Sequence, residues 1–103
     1  MTQHLAVTLA AVAALAVCGA ARGADIVRGA GLYQRHCSGC HGASGTSIWP
    51  GTPNLARREG LLKPDAVLLQ SLQTGRGTKP GFRGLLTDAE ILDTIAYSRT
   101  LAR

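Results

Sequence analysis

Residues 36 to 42 read His36-Cys37-Ser38-Gly39-Cys40-His41-Gly42. Two cysteines separated by two residues, with imidazoles on either side, can bind zinc, exchange a disulfide, or hold a haem through thioether bonds. Zinc does not fit. A closed structural site is tetrahedral and draws its ligands from two separated pairs. Here Cys37, Cys40, His36 and His41 are crowded into six adjacent residues, and the only other Cys and His are Cys18 and His4. Disulfide exchange does not fit either. Its Cys-x-x-Cys belongs near a βαβ unit, and its reactive thiol gains from a helix amino terminus. This chain shows no strand signal, and its motif follows a helix. Cys-x-x-Cys-His as a c-type haem attachment remains. Cys37 and Cys40 can each add across one vinyl group of the same haem. His41 then lies close to the iron and becomes its proximal ligand. His36 neighbours Cys37 on that same side and is not expected to reach across.

The elements that must hold this motif are helical. Ile26, Ala30, Tyr33 and Cys37 recur at helical spacing, which predicts a helix from about Asp25 to Cys37 with those residues on one face. Gly29 and Gly31 weaken it by up to about 1 kcal/mol each relative to Ala, which is easier to understand if another helix approaches closely. Residues 38–60 read as loop, punctuated by Gly42, Gly45, Pro50, Gly51, Pro53 and Gly60. A second helix is expected over Pro64–Thr74, with Leu68, Leu69 and Leu72 on its apolar face and Gly75 ending it. Thr87-Asp88-Ala89-Glu90 is a capping box that starts a third. Ile91, Leu92, Ile95 and Ala96 form its broad apolar face, with Tyr97 and Leu101 to the side. The fold class is therefore all-α, about three helices on long loops. Loops of that length in so small a domain usually wrap something.

The first quarter of the chain differs from the rest. Leu5 to Val17 contains only Leu, Ala, Val and Thr. It is too short for a spanning helix and suits the apolar core of a secretory signal. Residues 1–23 are read as that signal and residues 24–103 as the working domain, with cleavage after Gly23, Ala20 and Ala24 being the alternatives. Leu15-Ala16-Val17-Cys18-Gly19 approaches a lipobox, but Val17 stands where a small residue is expected, which disfavours a lipid on Cys18. Removing residues 1–23 leaves 80 residues, ten basic against six acidic, a net +4. A chain of that size builds a thin core and benefits from a cofactor staple. The modest basicity can steer it to an acidic partner. Nucleic acid is disfavoured, since the basic residues are scattered and the aromatics are few.

With these residues in view, the chain resembles the class I c-type cytochromes of bacterial periplasms. Gly29-x-x-x-Tyr33-x-x-x-Cys37-x-x-Cys40-His41-Gly42 is similar to the family's amino-terminal helix and attachment site, and Ala96-Tyr97-Ser98-Arg99-Thr100-Leu101 to its carboxy-terminal helix. The resemblance implies that these helices cross, with Gly29 at the contact and Tyr33 and Tyr97 beside it. It implies a fold wrapped around one covalent haem c. It also implies that the carbonyl of Pro53, in Pro53-Asn54-Leu55, accepts the proximal histidine's N–H. A rigid turn is the plainer reading of Pro53, and Pro50 is a competitor for the role. Trp49 is read either as packing near the haem or as a loop anchor.

The resemblance also marks a departure. The family's Gly-x-Gly-x-Met-Pro-x-Phe loop reads here Gly75-Arg76-Gly77-Thr78-Lys79-Pro80-Gly81-Phe82, with Lys79 in the methionine's place. Met1 is the only methionine of the sequence, so His–Met ligation is excluded by counting. Three states stay open: Lys79 bound to iron as the neutral amine, against a free pKa of about 10.4; Lys79 in solvent with an open sixth position; or another group, such as a partner or the new amino terminus. The resulting expectation is an exported monohaem electron carrier, not an enzyme. It would be monomeric, without a membrane span after processing, and would exchange electrons with a dehydrogenase or an oxidase. The alternative is a haem protein whose open site takes CO, NO or peroxide.

Overall fold

The computed structural model describes residues 23–77 and 79–103. The expected signal, residues 1–23, lies outside them except for Gly23. Helix α1 spans Ile26–His36 and starts where Asp25 caps it, its side chain accepting from the N–H groups of Val27 and Arg28. Cys37 closes α1, and a single further turn, α2, spans Ser38–His41. A 3₁₀ turn follows at Leu55–Arg57. Helix α3 covers Asp65–Thr74, with Pro64 at its N-cap. Helix α4 covers Asp88–Arg99. The capping box is fully formed: Thr87 Oγ1 accepts from Glu90 N–H at 3.2 Å, and the Glu90 carboxylate accepts from Thr87 N–H at 3.0 Å. The three expected long helices are present. The region read as continuous loop also contains α2 and the 3₁₀ turn, both too short for hydrophobic periodicity to reveal.

Helices α1 and α4 cross at Gly29. A Cβ on Gly29 would lie 2.1 Å from the Asp93 carbonyl oxygen, so only glycine permits this approach. Gly31 has open space around it and plays no part in the crossing. Ile26, expected on the buried face, is half exposed because α4 meets α1 over Gly29 and Tyr33 instead. The crossing also buries Asp93, Thr94 and Ser98, a polar stripe that a hydrophobic pattern could not find. Each is satisfied. The Asp93 carboxylate accepts from Asp25 N–H at 2.8 Å and from Arg28 Nε. Thr94 and Ser98 donate to carbonyls one turn back, Glu90 and Thr94, at 2.8 Å, the usual outlet for a hydroxyl inside a helix.

Two apolar clusters form the core. Tyr33, Leu55 and Leu61 make one, backed by Cys37, Leu68, Tyr97 and Leu101. Tyr33 is fully buried, donates its hydroxyl to Gly42 O at 2.7 Å, and packs on Tyr97 with ring centres 5.3 Å apart. Phe82, Ile91 and Ile95 make the other, backed by Leu68, Leu69, Leu72, Leu86 and Leu92. Leu68 of α3 touches both clusters.

Candidate functional site

The attachment motif is built by turning the chain tightly at the end of α1. The Cys37 carbonyl accepts from Cys40 N–H at 3.2 Å and from His41 N–H at 3.0 Å. This puts both thiols and the His41 ring on a single helical turn. Cys37 is partly buried and Cys40 exposed, and both thiols are free. Burial pushes the Cys37 thiol up to about 11, with Lys79 opposing and Cys40 reinforcing. A thiol so fully protonated at neutral pH is a poor exchange nucleophile, which agrees with the exclusion of disulfide chemistry.

His41 is oriented from a distance. Its Nδ1 lies 2.9 Å from the Pro53 carbonyl oxygen. Of the two prolines considered, Pro53 makes this bond. The carbonyl is held in place by its neighbour. Asn54 caps the 3₁₀ turn by accepting from Ala56 N–H at 3.1 Å, and its own N–H donates to Glu59 at 3.0 Å. Asn54 before Leu-Ala-Arg is a capping signal the sequence carried, and Glu59 is the partner it did not advertise. With Nδ1 engaged as a donor, Nε2 is left as the free imidazole nitrogen. Burial lowers the His41 pKa, the Lys79 charge adds to that, and the Pro53 bond opposes it.

The Cys40 carbonyl accepts from Ile48 N–H at 2.9 Å and Trp49 N–H at 3.2 Å. These bonds fold residues 42–49 back against the motif. Trp49 serves there through its backbone, and its ring is largely exposed.

Lys79 comes to the same place from the far end of the chain. It is half-buried, and burial lowers its pKa, with Cys37 opposing and Arg76 reinforcing. Phe82, three residues on, lines one pocket with Cys37, which sets this loop beside the attachment motif. His36 lies beside the same loop. Its ring meets Phe82 edge-on, with centres 5.6 Å apart, and it lines an apolar pocket with Cys37, Leu72, Phe82, Leu86 and Ile91. It therefore faces the loop that carries Lys79. The donor set fits a haem: two free thiols, an oriented imidazole with Nε2 available, and an adjoining apolar wall. No cluster of three or more His, Cys, Asp or Glu among the described residues could hold a bare metal ion.

Comparison with known proteins agrees with this geometry. The family described as cytochrome C oxidase, cbb3-type, subunit III matches residues 24–97. Cytochrome c6 of Thermosynechococcus vestitus is 32% identical over 81 residues, covering 76% of this chain and 71% of that protein. Among solved structures, the c-type cytochrome KustC0563 superposes with a TM-score of 0.64 at 23% identity, over 73% of this chain and 98% of that one. Cytochrome c6 of the diatom Phaeodactylum tricornutum gives 0.62 at 22% identity, over 74% and 92%.

Proposed function

The chain belongs to the class I c-type cytochromes, and from that premise we propose that it is an exported one-electron carrier whose single haem c is held by Cys37, Cys40 and His41. The observation that carries this reading is the His41 Nδ1 to Pro53 O bond beside two free thiols. A carbonyl acceptor on the far nitrogen fixes ring orientation and raises the basicity of the ligating one. The haem supplies the one-electron redox chemistry. Cys37 and Cys40 would tether it, His41 would hold its iron through the free Nε2, and the apolar wall from Leu72 to Ile91 would limit the approach of water.

Surface charge supports docking to an acidic redox partner, a dehydrogenase on one side or an oxidase on the other. Every carboxylate is already engaged. Asp25 and Glu90 cap helices, Glu59 holds Asn54, Asp88 holds Gln73, Asp65 pairs with Arg99 and Asp93 with Arg28. Among the described residues only Arg28 and Arg99 form ion pairs. The remaining cations can answer a negative partner, which raises the rate of encounter and makes it sensitive to salt. Exposed Ile48 and Trp49, fastened to Cys40, supply apolar contact where electrons would leave. The signal reading of residues 1–23 and a periplasmic location belong to this proposal. No helix among the described residues is long and apolar enough to cross a membrane.

The test is maturation in an exporting host. The expected product carries one haem that survives denaturation, titrates as a one-electron couple, and loses its attachment in Cys37→Ser with Cys40→Ser. A mature protein without covalent haem would sink the proposal. A second use of the same site, binding CO, NO or peroxide, is favoured by one fact: the sequence has no methionine beyond Met1. What stands opposite His41 decides between the two.

A further inference from the structure

We propose that the Lys79 amine is the sixth iron ligand, and that the backbone contacts joining Gly75 and Arg76 to Lys79 and Gly81 form a preformed bracket that holds it there. This rests on the haem reading above. The bracket is visible in the backbone. Arg76 and Lys79 exchange both main-chain hydrogen bonds, at 3.0 and 2.9 Å. The loop's two ends close on each other. A Cβ on Gly75 would lie 2.5 Å from Gly81 N and 2.6 Å from Lys79 O, and one on Gly81 would lie 2.4 Å from Gln73 O. Phe82 N–H and Arg83 N–H then donate to Leu72 O and Gln73 O of α3, at 2.9 and 3.1 Å. Phe82 itself is buried against Ile91 and Ile95.

A surface lysine normally sweeps a wide volume, and ordering it costs side-chain entropy. Here the Lys79 backbone is held by its exchange with Arg76, the residue is half-buried, and its loop is fastened through Phe82 to Leu72, both of which line one pocket with Cys37. Among the described residues no ion pair involves Lys79. Coordination needs the amine's lone pair: the ammonium releases one proton to solvent as nitrogen binds iron, and no electron changes hands. A nitrogen donor is harder than a thioether and favours the ferric state. Lys79 ligation thus makes this protein a lower-potential carrier with a closed site. Gly75 and Gly81 act through Lys79 and are positioning residues.

The rival donor is His36, which also lies against this loop through Phe82. The experiment compares holoproteins of the wild type, Lys79→Ala, Lys79→Met, His36→Ala and Gly81→Ala. The readouts are ferric EPR, CO binding to the reduced form, and reduction potential. Covalent haem content and helical circular dichroism report folding for each. The wild type and His36→Ala should be low-spin and resist CO. Lys79→Ala should turn high-spin and bind CO at least about tenfold more tightly, as expected if the open form is one part in ten or less of the wild type. Lys79→Met should return to low spin at a higher potential. Gly81→Ala should lose part of the low-spin signal with its haem retained. A high-spin or CO-avid wild type, a Lys79→Ala that stays low-spin, or conversion by His36→Ala in place of Lys79→Ala would each overturn the inference while leaving the haem reading intact. A wild type without covalent haem would overturn both.

Discussion

The two apolar clusters do different work. The one around Tyr33 is complete in the polypeptide alone. Tyr33 is sealed by Tyr97, Leu55 and Leu61, its hydroxyl is satisfied by Gly42, and the crossing beneath it is locked by Gly29. The one around Ile91 ends on a pocket wall shared with Cys37 and His36. The first half is finished by helix contact, and the second borders the attachment segment through Cys37 and His36. Their common member, Leu68, is itself only half-buried. In so small a domain, a covalently held cofactor can supply cohesion that a larger protein would assign to more side chains.

The largest expected effect comes from removing that group. Cys37→Ser with Cys40→Ser should abolish covalent haem and uncouple the halves. Hydrogen exchange should then rise far more at Ile91 and Ile95 than at Tyr33. Equal loss of protection in both would break the comparison. Next is Ile91→Ala in the holoprotein. It removes a side chain only 1% exposed, and denaturant unfolding should show about 2–5 kcal/mol lost. Gly29→Ala probes the finished half. Its methyl group meets backbone, so α1 and α4 must separate, at a cost of about 1–3 kcal/mol, with haem attachment retained. The smallest effect belongs to Thr87→Ala, about 1 kcal/mol through the lost cap.

That last variant also has a pH signature. Glu90 is held below its ordinary value, chiefly by its hydrogen bonds with Thr87. A depressed carboxylate stabilises the fold above its unfolded pKa, about 4.3, and that contribution is lost as pH falls through the folded value. The gap between wild type and Thr87→Ala should therefore narrow on acidification below about pH 4. A gap that widens there would reverse the assignment.

The motif and the long helices were legible because each is local. Cys-x-x-Cys-His carries its chemistry in five consecutive residues, the capping box in four, and the helix faces in a short period. Pro53 could be suggested only by resemblance, since the bond from His41 spans twelve residues and depends on Asn54 and Glu59 to aim it. The polar crossing face was invisible to a hydrophobic pattern, because Asp93, Thr94 and Ser98 are buried by partners rather than by character. The surroundings of His36 were illegible for a related reason. Sequence proximity to Cys37 said nothing about which loop its ring would meet, and Phe82 decides that from the other end of the domain.

The Asp93 clamp has a consequence in time. Asp25 and Asp93 are 68 residues apart, and a chain is made from its amino end. The segment bearing Cys37 and Cys40 is therefore delivered well before the helix that fastens it exists. Until Asp93 arrives, the crossing at Gly29 has no partner, and the two thiols sit on an unclosed hairpin of chain. Contacts this distant in sequence form late. The interval ends when α4 closes over α1 and Asp93 reaches Asp25 and Arg28.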